Sequence, residues 1–151
     1  MCVKSILNQM TISWLTKNVE FPDVIVKELI EEWLPKVAAA HGKQIGTLTY
    51  ILTDDEGILA VNRQFLQHDY YTDIITFDYS KRKMVSGDIY ISLDTVATNA
   101  EQFDQNPIRE LHRVLAHGLL HLCGINDKGP GEREIMEQHE DEALEILSRM
   151  L

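Results

Sequence analysis

Strand-like and helix-like segments alternate along this chain of 151 residues, and the alternation limits the fold to one in which helices cover a sheet. Four segments have the period-two or β-branched pattern of strands: about 3–16, 46–53, 72–80 and 86–94. Five have helical spacing or helix-start signals: 22–41, 54–69, 94–103, 106–123 and the last twenty residues. We therefore predict one α/β (α+β) domain over residues 1–151.

The short connection between two of these strands predicts how the sheet is paired. Lys81, Arg82 and Lys83 form a basic turn between 72–80 and 86–94, which is typical of a hairpin. We further predict that the strands form one small mixed sheet, mostly antiparallel, with helices packed against it.

Composition limits the partners and the location. The formal net charge is −10, from 24 acidic and 14 basic residues, which argues against non-specific nucleic-acid binding but allows an enzyme with a local basic cleft. Apolar runs are far shorter than the roughly 20 residues that cross a bilayer. The N-terminus has no ordered signal-peptide regions, and Cys2 and Cys123 form no disulfide framework. We expect a cytoplasmic protein with no membrane contact.

The stretch HGLLHLCGIND, residues 117–127, carries the chemistry. His117 and His121 lie four residues apart, so on a helix both imidazoles face one point. Gly124 suits the left-handed residue that ends a helix, and Asp127 follows where the chain can turn back. Two imidazoles and a carboxylate form a three-ligand site with an open position, as in catalytic zinc centres. This pattern predicts a metal-binding helix near the C-terminus, with one Zn²⁺ per chain.

Position 118 differs from the usual zinc-hydrolase signature, which has a glutamate base directly after the first histidine. Gly118 has no side chain, so it suits either a close approach of substrate or tight helix packing. The proton of the attacking water must then pass to another group, to bulk water or along a path through the substrate's own hydroxyl.

Three ordered motifs give the chain a resemblance to the YbeY family of metal-dependent endoribonucleases, which are rRNA maturation factors. The stretch 117–127 resembles the family's H-G-x-L-H-L-x-G-Y-D-H motif. VNRQFLQHDYYTDIITFDYS and GDIYISLDTVATNA resemble its two preceding motifs, in the same order and at the same spacing. The resemblance implies cleavage of single-stranded RNA, maturation of the 3′ end of small-subunit rRNA and ribosome quality control. The partners it implies are rRNA and small-subunit ribosomal components, with an assembly GTPase as a further candidate.

The chain departs from the family at two functional positions. Asp127 stands where the family has a third histidine, and a carboxylate is an acceptable zinc ligand. Leu66 stands where the family has an arginine implied to act on the RNA phosphate. Arg63, one helical turn before Leu66, is the predicted replacement, and we name His117 and Arg63 as the catalytic residues. His68 and Lys128 are alternatives to Arg63, and Arg109 and Arg113 are candidate RNA contacts on the helix of His117.

Two other functions remain open from the sequence. A metalloprotease-like hydrolase is one, although the missing glutamate at position 118 counts against it. The other is a non-catalytic ribosome-assembly factor that uses the metal only for folding.

Five further residues match positions of the family motifs: Asp69, Thr72, Asp73, Gly87 and Asp88. We interpret them as turn and strand-end residues that shape a cleft.

Overall fold

The computed structural model describes residues 10–67 and 72–151. Its strands are β1 (Thr11–Thr16), β2 (Gln44–Thr53), β3 (Ile74–Asp78) and β4 (Met84–Ser92). Its helices are α1 (Lys27–Ala40), α2 (Asp55–Val61), α3 (Leu93–Gln102), α4 (Pro107–Leu122) and α5 (Glu132–Met150), and a π-helical turn (Asn62–Leu66) continues α2. None of the helices in these two ranges has both the length and the apolar character that crossing a bilayer requires.

The four strands form one mixed sheet in the order β1-β2-β4-β3. The predicted hairpin is confirmed, because β3 pairs antiparallel with β4. The prediction of mostly antiparallel pairing is wrong, since β1 pairs parallel with β2 and β2 pairs parallel with β4. The physical reason is the connection between the strands. A helix such as α1, between β1 and β2, returns the chain to the end of the sheet where the first strand began, so the next strand runs parallel to it.

Several predicted boundaries change in the structure. The predicted strand over 3–16 is observed as β1, and its residues before Met10 lie outside the described range. Pro35 lies inside α1, which continues to Ala40. The helix expected over 54–69 ends as α2 at Val61 and changes to the π-helical turn. Such turns are frequent at functional sites.

The main core lies between one face of the sheet and helices α1, α4 and α5. Two buried hydrogen bonds fix these helices in place. The Tyr50 hydroxyl on β2 donates to the Leu115 carbonyl on α4 at 2.7 Å, and Trp33 Nε1 on α1 donates to the Ala143 carbonyl on α5 at 2.8 Å. Because a buried ring with an unmade hydrogen bond is costly, these contacts set where α4 and α5 meet.

Helix α4 begins and ends as its sequence predicts. The Asn106 side chain accepts hydrogen bonds from the backbone N–H groups of Ile108 and Arg109, and Pro107 is the first helical residue. Gly124 follows the helix with φ +99°, a left-handed conformation that glycine adopts readily. The chain therefore leaves α4 in a sharp turn that leads to Asp127.

Gly118 lies on the face of α4 that packs against the sheet. A Cβ at this position would lie 2.8 Å from Ile89 Cγ2 and 3.1 Å from Ile74 Cδ1. Of the two explanations for this glycine, the structure favours tight helix packing. A glutamate here would point into the core, so the base of zinc proteases has no place at position 118.

We expect Gly118→Val to lower the free energy of unfolding by about 2–3 kcal/mol, because its methyl groups overpack a full core. Gly118→Ala should have a smaller effect, since its single methyl is partly offset by the gain in helix propensity of about 1 kcal/mol. Urea denaturation of the metal-free proteins measures both. Equal stability of all three proteins would show that α4 does not press on Ile89 as described.

Candidate metal centre and cleft

Three donor atoms from α4 and the turn after it converge on one point. His117 Nε2 lies 3.4 Å from Asp127 Oδ2, and His121 Nε2 lies 3.5 Å from the same oxygen. One ligand atom from each of the three residues lies within 4.8 Å of the others. The donor residues predicted from the sequence are therefore together in the structure.

The spacing of these donors fits a small tetrahedral ion. Zinc binds imidazole nitrogen and carboxylate oxygen at about 2.0–2.2 Å, so neighbouring ligands of a tetrahedral site lie about 3.3–3.5 Å apart. The two nitrogen–oxygen separations, 3.4 and 3.5 Å, match this edge. Two neutral imidazoles and one carboxylate are also a donor set that a divalent metal accepts. The residues present thus fit a metal with a free coordination position.

Each histidine is oriented through its other ring nitrogen. His121 Nδ1 lies 3.0 Å from the Ile125 carbonyl oxygen, which can only accept, so Nδ1 carries the proton and Nε2 keeps its lone pair for a metal. His117 Nδ1 lies 2.6 Å from Glu140 Oε2 on α5, which has the same effect on its tautomer. Partners of this kind fix the ring and raise the basicity of the ligand nitrogen.

Glu140 is a functional residue that the sequence analysis missed. It is 6% exposed and faces the core from α5 together with Met136, Ala143 and Leu144. The sequence does hold a signal, since Glu140 stands on the apolar stripe of an amphipathic helix, four residues after Met136 and four before Leu144. A carboxylate at such a position needs a partner, because a buried unpaired charge is strongly destabilising.

Arg113 neutralises Glu140. Its Nη1 lies 2.8 Å from Glu140 Oε1, its Nη2 lies 3.2 Å from Asp141, and its Nε lies 3.7 Å from Glu110. The guanidinium is therefore surrounded by three carboxylates and holds α4 against α5. This placement does not favour the predicted contact between Arg113 and RNA, whereas Arg109 is exposed at the start of α4.

The electrostatics separate the two histidines. Burial lowers the pKa of His117, but the hydrogen bond and charge of Glu140, with smaller effects of Asp127 and Asp73, raise it above the ordinary value overall. Burial lowers the pKa of His121, and the neighbouring His117 lowers it further. His121 is thus held in the neutral form that a metal requires, and His117 is held in place by a charged partner.

The donors open into a cleft of about 760 Å³. Its walls come from the π-helical turn, the start of β3, the end of α3 and the facing sides of α4 and α5. Leu66 lines this cleft at the position where the family resemblance implies an arginine. Asp73 and Glu110 also line it, and burial raises the pKa of Glu110.

The other predicted site residues lie in different places. Arg63 is exposed on the same turn as Leu66 but does not line the cleft, so its catalytic role stays a prediction. Lys128 lines the cleft beside Asp127. His68 and Asp69 lie outside the described residues. Cys123 packs partly into the core, and burial raises the pKa of its thiol to about 11, so the thiol is a packing residue and not a ready thiolate ligand.

Comparison with known proteins identifies the family. The family model described as "Endoribonuclease YbeY" matches residues 11–148. The chain belongs to the YbeY family. A relative from Phocaeicola vulgatus named "Endoribonuclease YbeY" is 61% identical over 137 residues, covering 91% of this chain and 99% of the relative. A relative of the same name from Porphyromonas gingivalis is 44% identical over 140 residues, and the match covers 93% of this chain and 92% of the relative.

A solved structure has a similar fold. The solution structure of TM1509 from Thermotoga maritima matches with a TM-score of 0.64 and 25% identity, covering 92% of this chain and 89% of TM1509. The family resemblance predicted from three motifs is therefore confirmed over most of the chain. The confirmed range begins at residue 11, well before the first of the three motifs.

Proposed function

We propose that this chain is a metal-dependent endoribonuclease that cleaves single-stranded RNA. One observation carries the proposal: in a chain of the YbeY family, His117, His121 and Asp127 bring three metal donors together at the wall of an open cleft. We propose zinc as the metal because the donor separations of 3.4 and 3.5 Å fit a tetrahedral site. Relatives named as endoribonucleases support RNA as the substrate.

Different residues of the site would bind the metal, orient its ligands and accept the proton. His117, His121 and Asp127 would hold the ion, while Glu140 and the Ile125 carbonyl keep both imidazoles aimed at it. When bound, the metal would supply polarisation of a phosphoryl oxygen and activation of water. Because Gly118 faces Ile89, the proton acceptor must be another group, and Asp73 and Glu110 are carboxyl candidates in the same cleft.

The cellular role follows from the family resemblance. We propose that the substrate is rRNA, at the 3′ end of the small-subunit RNA, and that the protein acts in ribosome quality control. Small-subunit components and an assembly GTPase are the proposed partners, and the cytoplasm is the proposed location. The whole chain, residues 1–151, is proposed to act as one domain.

Removing and restoring the metal tests the proposal. Chelator-treated protein should not cleave a 5′-labelled unstructured RNA, and one equivalent of Zn²⁺ should restore cleavage. The reason is that the proposed reaction depends on the ion that the three donors hold. A fully paired RNA and casein serve as comparison substrates. Cleavage of casein alone would favour the metalloprotease alternative, and no cleavage of any substrate by zinc-loaded protein would favour the assembly-factor alternative.

A further inference from the structure

The cleft has an unfavourable charge for a nucleic acid. Among the residues that the structure describes, six carboxylates and three cations line it: Asp73, Glu110, Asp127, Glu137, Glu140 and Asp141 against Arg113, Lys128 and Arg133. Two of the cations are engaged, since Arg113 contacts Glu140 at 2.8 Å and Arg133 contacts Glu137 at 3.2 Å. Phosphate contacts, which dominate most nucleic-acid binding, can contribute little along these walls.

One part of the wall is uncharged and aromatic. Asn99, Phe103 and Gln105, at the end of α3 and the turn after it, line the cleft together. The Phe103 side chain is 64% exposed, more than Phe65 at 56% or Tyr79 at 58%. Among the described residues, Phe103 makes no ring–ring contact, whereas Phe65 packs on Phe77 with ring centroids 5.7 Å apart.

Hydrogen bonds fix the backbone of the turn that carries Phe103. The Phe103 N–H donates to the Asn99 carbonyl at 3.0 Å, and the Gln105 N–H donates to the Ala100 carbonyl at 2.7 Å. The Gln105 side-chain amide donates to the Phe103 carbonyl at 3.3 Å. The ring is thus presented to the cleft by a backbone held at three points, which suits a binding platform better than a frayed helix end.

We propose that Phe103 is a stacking platform for an unpaired base of the RNA, in the cleft that the metal donors also line, with Asn99 and Gln105 beside the base edge. The inference rests on the proposed function. Stacking of a base on an aromatic ring tolerates an acidic surface, because it does not depend on phosphate charge. Only an unpaired base can offer its face to a side chain, so the platform also accounts for a preference for single strands.

Steady-state cleavage of an unstructured 5′-labelled RNA by the zinc-loaded proteins tests the platform. Phe103→Ala should lower kcat/KM by roughly 5- to 150-fold, mainly through KM, because one base–aromatic stack contributes that much to binding. Phe103→Tyr should retain near-normal kcat/KM. Tyr79→Ala, which removes another exposed ring away from the cleft, should match the unmodified protein.

Substrates with a single abasic position, moved along the RNA, locate the stacked base. At one position the missing base should cost the unmodified protein as much as Phe103→Ala does, and it should cost Phe103→Ala almost nothing further. Additive losses at every position, or an unchanged kcat/KM in Phe103→Ala, would overturn the platform while leaving the nuclease intact. Absence of RNA cleavage by the unmodified zinc-loaded protein would instead overturn the proposed function, and the platform with it.

Discussion

His121→Ala is expected to lose tightly bound zinc and to cleave RNA at least about 10³-fold more slowly than the unmodified protein. The imidazole supplies one of three donors, and the ion it helps to hold is expected to supply several kcal/mol of transition-state stabilisation, each 1.4 kcal/mol of which is tenfold in rate. His121 is a cleaner test than His117, because its other ring nitrogen contacts only a carbonyl, while removal of His117 leaves the buried Glu140 with Arg113 as its remaining partner.

The measurements are metal content, cleavage rate and thermal unfolding on the same preparations. His139→Ala is the matched control, since His139 lies on α5 and contacts Glu142 at 2.9 Å, outside the donor group. It should keep its zinc and its activity. If His121→Ala lost the metal and still cleaved RNA normally, catalysis would not depend on this centre. If it lost cleavage but supported growth and ribosome assembly, the assembly-factor alternative would be the better one.

The donor residues of the centre could be predicted because their geometry is local. His117 and His121 share a face by helical spacing alone, and Gly124 marks the turn that brings Asp127 back. All three lie within eleven residues, 117–127, so no tertiary contact has to be known to place them. The hairpin of β3 and β4 is local in the same sense.

The rest depends on contacts between distant segments. Glu140 lies 23 residues from His117, and helical periodicity shows only that it faces the core, not which group it meets there. The direction of Gly118 depends on how α4 lies over Ile89 of β4, and the parallel pairing of β2 depends on the course of the chain between strands. The partner of Glu140, the direction of Gly118 and the pairing of β2 all depend on how whole helices and strands pack together. Local residue patterns do not specify that packing.

Glu140→Gln is expected to weaken zinc binding by about 10- to 100-fold while the three donors remain unchanged. The carboxylate lies 2.6 Å from His117 Nδ1, where its charge raises the basicity of the ring and fixes its tautomer. Glutamine keeps the size of the side chain and one acceptor oxygen but removes the charge. Competition against a chelator of known zinc affinity measures the dissociation constant.

The same substitution also affects the fold, and the two effects must be separated. Arg113 would lose the charge of its partner at 2.8 Å and keep Asp141 and Glu110, so we expect the metal-free protein to lose about 1–3 kcal/mol of stability. Glu145→Gln makes the same charge change on an exposed residue of α5, whose side chain is 61% exposed, and should alter neither quantity.

Arg113→Met distinguishes a role in metal binding from a role in packing. It breaks the same ion pair from the other side and should destabilise the metal-free protein at least as much as Glu140→Gln does, but it leaves the carboxylate on His117. Zinc affinity should therefore fall clearly more in Glu140→Gln than in Arg113→Met. If the two variants lost zinc affinity in proportion to their loss of stability, Glu140 would act only by holding α4 to α5, and its effect on the imidazole would have to be withdrawn.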